Sequence, residues 1–91
     1  MRFRVRLTDK ALRKIARHGV TPNEVTAALE GTIYSRSSGE KLTIIADAHG
    51  RVLFIVVVRS RKRVGFVEVV TARVATLIEK RLLRRRGRVV R

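Results

Sequence analysis

The chain has 91 residues, enough for one domain with a single modest two-layer core and too few for a separate substrate domain. Its 22 lysines and arginines against 7 aspartates and glutamates give a formal charge of +15, which works against a lone compact state and attracts an acidic partner: nucleic acid, an acidic protein, anionic lipid or a ribosomal surface. The lack of cysteine excludes disulfides, thiolate catalysis and cysteine-based zinc sites.

The first residues alternate Arg2, Arg4 and Arg6 with Phe3, Val5 and Leu7, the period of a strand that buries one face and shows arginines on the other. It reads as an edge strand, whose arginines either block strand-to-strand aggregation or meet nucleic acid. A signal peptide would instead show a continuous apolar stretch, and no apolar run is long enough to span a membrane, so a cytoplasmic protein without membrane contact is expected.

Thr8 can cap a helix that starts at Asp9, with Leu7 and Leu12 as a hydrophobic staple and Gly19 ending it. Ala11, Leu12, Ile15 and Ala16 form its inward stripe. Lys10, Arg13, Lys14 and Arg17 form an outward stripe of one sign, which repels itself at helical spacing. That uniformity fits an RNA contact surface as well as a solvated face. A second helix opens with the capping box Thr21-Pro22-Asn23-Glu24, buries Val25, Ala28 and Leu29, and ends at Gly31.

Thr32 to Arg36 is a short strand, Ser37-Ser38-Gly39 a turn, Lys41 to Ala46 a strand, and Asp47-Ala48-His49-Gly50 a tight turn. The most apolar stretch follows. Arg51 to Val58 contains seven consecutive apolar residues rich in valine, the mark of a central strand buried on both faces. Arg59, Arg61, Lys62 and Arg63 make the next loop strongly basic. Val64 to Val70 is a further strand, with Gly65 a bulge and Glu68 an acid expected to pair with an arginine. A helical segment beginning at Thr71 turns Val74, Leu77, Ile78 and Leu82 inward and Glu79, Lys80 and Arg81 outward. Residues 84–91 read as a basic C-terminal tail to a single domain of residues 1–83.

The expected fold is α+β: a small antiparallel sheet with two N-terminal helices and a C-terminal helix, the helices together on one side. No Ser-His-Asp set, paired carboxylates, P-loop or GxGxxG spacing occurs. His18 and His49 are too far apart in sequence for a shared helix face, and neither a metal nor a cofactor is expected. The chemistry-bearing residues are the cations Lys10, Lys41, Arg51, Arg59, Arg61 and Arg73, with His18, Tyr34, Glu68 and Glu79 able to move a proton. Such a set could cleave RNA without metal, because the 2′-hydroxyl is an internal nucleophile and the protein need only accept its proton and stabilise charge on phosphorus. It could equally hold phosphates without chemistry.

Four blocks occur in a telling order: Arg17-His18-Gly19-Val20-Thr21, Glu40-Lys41 before an Ile-rich strand, Gly50-Arg51-Val52-Leu53, and Thr71-Ala72-Arg73-Val74-Ala75-Thr76 leading to Glu79-Lys80-Arg81. Over Thr8 to Leu83 the chain resembles the BrnT-type toxin family. The resemblance implies a RelE-like ribonuclease fold and a type II toxin–antitoxin pair, in which an acidic antitoxin with its own DNA-binding domain forms a hetero-oligomer with the toxin. It carries over Arg51, Arg73 and Glu79 as functional residues, and His18 with them, although His18 beside Gly19 could simply cap a helix end. The chain departs from the family pattern in having Thr8 before Asp9, where an aromatic residue is usual, and Leu83 where the last helix usually has a tyrosine. The expected function is thus a metal-independent endoribonuclease toxin acting through His18, Lys41, Arg51, Arg59, Arg73 and Glu79. RNA would be held by Lys10, Arg13, Lys14, Arg17, Arg61, Lys62 and Arg63. The alternative is a non-catalytic basic module that binds RNA or the ribosome.

Overall fold

The computed structural model describes residues 4–89. In chain order the elements are β1 (Arg4–Arg6), α1 (Asp9–Arg17), α2 (Pro22–Glu30), β2 (Thr32–Ser38), β3 (Lys41–Ala48), β4 (Arg51–Arg59), β5 (Phe66–Val74), α3 (Leu77–Arg86) and β6 (Arg88–Val89). They form an α+β fold around one six-stranded sheet in the order β1-β5-β4-β3-β2-β6. The predicted central strand is β4, flanked by antiparallel β3 and β5.

Local chemistry sets most boundaries. Thr8 caps α1 through a bond from the Ala11 N–H, and Thr21 and Glu24 close a reciprocal capping box on α2. Gly19, at φ 70°, lets the Gly19 and Val20 amides fold back onto the Ala16 and Ile15 carbonyls. This is a Schellman stop that also seats Val20 beside Ile15 in the core. The β3–β4 hairpin turns on His49 and Gly50, both at positive φ. Asp47 Oδ1 accepts the Gly50 N–H at 2.7 Å, so His49 is a turn residue.

Alternation along the strands divides the sheet into two unequal faces. Ile44, Ala46, Leu53, Ile55, Val57, Val69 and Ala72 are buried on one face beneath Ile15, Val20, Val25, Ala28 and Leu29 of the first two helices and their junction. On the other face α3 brings Leu82 and Leu83 against Tyr34, Ile45, Val52 and Phe54. It covers only the β2 and β3 side. Val56, Val58, Thr43 and Thr71 beyond it are half-buried, so β4 is fully buried on one face and half-buried on the other.

Several expectations are corrected here. The sheet is mixed, because β1 lies parallel to β5 while α1 and α2 carry the chain across to β2, next to the far edge. Period-2 alternation identifies a strand and its faces but carries no information on direction. β1 is an edge strand, as expected; the expected contribution of Arg2 and Phe3 lies outside the described residues. The helices are not together on one side. β5 runs through Val74, with Thr71 and Arg73 on one face and Ala72 buried on the other. The helix starts only after Thr76, whose hydroxyl and the Glu79 carboxylate form a second capping box. Starting there, α3 turns Leu82 and Leu83 inward and leaves Leu77 64% and Ile78 71% exposed. Ala16, expected inward, is exposed, and Val64 and Gly65 belong to the turn before β5. The irregularity of the sheet lies instead between Val56 and Val57, opposite an unpartnered Val70.

The boundary expected at residues 83 and 84 falls inside α3, and Arg88–Val89 pairs with Thr32–Ile33. Gly87 makes the change of direction, because a β-carbon there would collide with the Leu83 carbonyl and the Thr32 methyl.

This packing separates two kinds of apolar residue. Ile55→Ala, in the fully buried row of β4, is expected to lower unfolding free energy by about 3 kcal/mol. Ile78→Ser should stay within about 0.5 kcal/mol of the parent. Urea denaturation of both variants checks the contrast.

Candidate nucleic-acid interface

The face that α3 leaves partly open is organised in transverse rows by strand register. The first row, beneath α3, is Tyr34, Ile45, Phe54 and Arg73; the second is Arg36, Thr43, Val56 and Thr71; the third is Ser38, Lys41, Val58, Glu68 and Arg6. Arg4, two residues from Arg6, shares this face by alternation. The open face is therefore a shallow apolar and hydroxyl-bearing floor with cations at both sides. Among the described residues, Arg4, Arg36 and Lys41 have no carboxylate within ion-pair distance.

Arg73 is the most constrained of these cations. Its two terminal nitrogens each donate to one oxygen of Glu79 at 2.9 Å, and its guanidinium lies 4.1 Å from the centre of the Phe54 ring. Glu79 also accepts the Thr76 N–H at 2.8 Å. One carboxylate thus starts α3 and fixes Arg73 at the helix's edge. Burial works to raise the Glu79 pKa, but the bonds from Arg73 and Thr76 and the charge of Arg73 outweigh it and hold the carboxyl below its ordinary 4.5.

Arg51 is engaged on the other side of the sheet. It donates to the Gly19 carbonyl at 3.1 Å and to Glu24 Oε2 at 3.0 Å, tying the α1–α2 junction to the start of β4. The backbone N–H of Thr21, with help from Arg51, holds Glu24 below the usual glutamate value. His18 is exposed as the C-cap of α1, its backbone N–H on the Ile15 carbonyl, which is the capping role open to it from sequence.

Of the six catalytic candidates, the structure brings only Arg73 and Glu79 into contact. Lys41 shares their face but is two rows away, about 13 Å along the strands. Arg51 and His18 are on the helix-covered side, and Arg59, by alternation from Val57, leaves the far end of β4 on that side as well.

The expected RNA-holding residues also divide. Lys10, Arg13, Lys14 and Arg17 form an exposed stripe on α1, where Lys10 and Lys14 border a depression of about 210 Å³ against Val69 and Val70. In the β4–β5 loop, Arg61 reaches Glu40 at 3.3 Å, Arg63 sits over the Phe66 ring at 4.7 Å and Lys62 is exposed. The basic surplus therefore occupies both faces and the rim.

Sequence reasoning passed over Arg36, Thr43, Thr71 and Arg6 as site residues. Continuing the alternation of Ile33 and Tyr34 to Ser38 would have put Arg36 on the face of Tyr34. Nothing short of strand order, however, could align Arg36 with Thr43, Val56 and Thr71. Glu68 pairs with Arg6 at 3.5 Å and accepts the Ser60 hydroxyl at 3.1 Å, the ion pair expected of it. No family model, curated protein or solved structure matches this chain.

The Glu79 pairing has a pH signature. Because its folded-state pKa lies below the ordinary 4.5, the ionised carboxylate stabilises the fold above that value. This contribution disappears as pH falls through the folded-state pKa. Glu79→Gln should melt lower than the parent at neutral pH, and the gap should close on acidification. A gap independent of pH in thermal unfolding would show that the pairing is not its source.

Proposed function

We propose that this chain is a cytoplasmic, metal-independent endoribonuclease toxin of RelE-like build from a type II toxin–antitoxin pair. RNA would lie across the open sheet face, and an acidic antitoxin would form a hetero-oligomer with the chain and neutralise it. The observation that carries the reading is that face: Arg36, Lys41 and Arg4 stand without ion-pair partners among the described residues around a floor of Thr43, Val56 and Thr71, and Arg73 is held at its edge. The spacing suits an extended single strand, whose phosphates need cations several ångströms apart and whose sugars and bases find hydroxyls and apolar surface.

In this reading the 2′-hydroxyl gives its proton to solvent water and its oxygen attacks the adjacent phosphorus, the 5′-oxygen of the next nucleotide leaves and takes a proton from water, and a cyclic phosphate remains. Arg73 stabilises charge gathering on the phosphoryl oxygens. Glu79, with both oxygens accepting bonds, acts by holding Arg73 rather than by taking the proton. His18 is on the opposite side of the sheet from Arg73, so catalysis rests mainly on positioning and charge.

A second reading, a basic module that binds RNA or the ribosome without cleaving it, is favoured by one specific observation: the two family-derived arginines, Arg51 and Arg73, are both tied to carboxylates. One experiment separates the two. Folded protein is incubated with single-stranded RNA and EDTA across about pH 6 to 9, with binding measured in parallel against salt. The toxin reading expects cleavage, reduced roughly 100-fold or more in Arg73→Ala. Intact RNA, with the log–log salt slope falling by about one in Lys41→Ala, would leave the binding module standing and remove the nuclease.

A further inference from the structure

The sheet has an unfinished edge. β2 pairs with β3 from Ile33 to Ser38, but on its outer side β6 meets only Thr32 and Ile33. Beyond them, Tyr34 to Ser38 has no strand neighbour among the described residues, a free edge of about 17 Å. β6 does not reach over it: the antiparallel register would set Gly87 opposite Tyr34, and Gly87 instead closes α3 with its N–H on the Leu83 carbonyl.

Register also identifies the free backbone groups. The two-residue loop Gly39-Glu40 makes Ser38 and Lys41 a mutually bonded pair, and bonding then alternates along the ladder. Tyr34, Arg36 and Ser38 turn their amides and carbonyls towards β3. Ser35 and Ser37 turn theirs outward. Both serines are exposed, and none of their backbone groups makes a further hydrogen bond among the described residues. The opposite edge is treated differently: β1 is three residues long and two of them are arginines, the usual way of discouraging an added strand.

We infer that the β2 edge from Tyr34 to Ser38 is a docking site for an extended acidic peptide segment of a partner protein, which adds to the sheet as a further strand. Charge selects the occupant. The added strand lies beside Arg36, with Lys41 one strand further in on the same face, so a carboxylate on its matching residue finds two cations that have no ion pair among the described residues. A second copy of this chain is disfavoured, because it would bring Arg36 against its own counterpart between two bodies of +15 each. The inference is independent of RNA cleavage and would survive its failure.

The test is an NMR titration at physiological salt with a short peptide alternating glutamate and valine. The expected result is slowed hydrogen exchange at the Ser35 and Ser37 amides, by roughly tenfold near saturation, with shifts centred on β2. Ser37→Pro removes one outward N–H without touching the bonds to β3 and is expected to weaken the peptide about fivefold to tenfold. Ser37 is not on the open face, so binding of this variant to RNA should be unchanged. Unchanged exchange at the two serines, with shifts spread over lysines and arginines generally, would overturn the inference. So would the same protection appearing without peptide as protein concentration rises, which would make the occupant a second copy. The exchange measurement uses the parent protein and stands even if Ser37→Pro fails to fold.

Discussion

The constraint that organises this molecule is a shortage of carboxylates. With 22 cations and 7 acids, repulsion must be offset by core burial and by placing each available acid where it does most. Among the described residues four glutamates form ion pairs, and each joins two parts of the fold: Glu24 fastens α2 to β4 through Arg51, Glu79 fastens α3 to β5 through Arg73, Glu68 joins β5 to β1 through Arg6, and Glu40 joins the β2–β3 turn to the β4–β5 loop through Arg61. These pairs are not equal. Glu79 and Glu24 are largely shielded and also cap helices, whereas the Arg61 and Glu40 side chains are over 80% exposed and contribute little in water. The carboxylates are thus drawn to joints between elements, and the basic surface is left largely undiluted.

That arrangement changes the meaning of the residues that sequence marks for chemistry. In the sequence Arg73 and Glu79 read as an arginine and an available base. In the fold Glu79 has a lowered proton affinity and both oxygens occupied, and it holds the Arg73 guanidinium over the Phe54 ring. A fixed guanidinium suits transition-state stabilisation, since no reorganisation is needed when charge develops. Arg51 has a comparable partner but serves the α1–α2 junction on the other face.

Much of the local structure was legible in the chain. The capping box at Thr21, the stop at Gly19, the turn at His49-Gly50, the central strand and the ion pair of Glu68 all depend on residues close in sequence or on a strong apolar run. What could not be read depends on partners far along the chain. The direction of β1 is decided by β5, and the side taken by α3 is decided by where β5 ends. Leu77 and Ile78 look like core residues until the second capping box, Thr76 with Glu79, fixes the helix phase and turns Leu82 and Leu83 inward. That box was present in the sequence, but the apolar periodicity beginning at Thr71 obscured it. The six catalytic candidates come from the set of cations and from the family blocks, and only strand order could reveal that a sheet stands between them.

Two surfaces meet at Arg36. An RNA backbone on the open face and an acidic strand at the β2 edge would both draw on this guanidinium and on Lys41 behind it. Each ligand would lower the positive potential that attracts the other, and by linkage the loss of affinity is equal in both directions. Neither effect requires the sheet to move. A partner that adds a strand could therefore oppose RNA binding through charge alone, without reaching Arg73 or displacing α3, and the opposition would weaken as salt screens the shared cations.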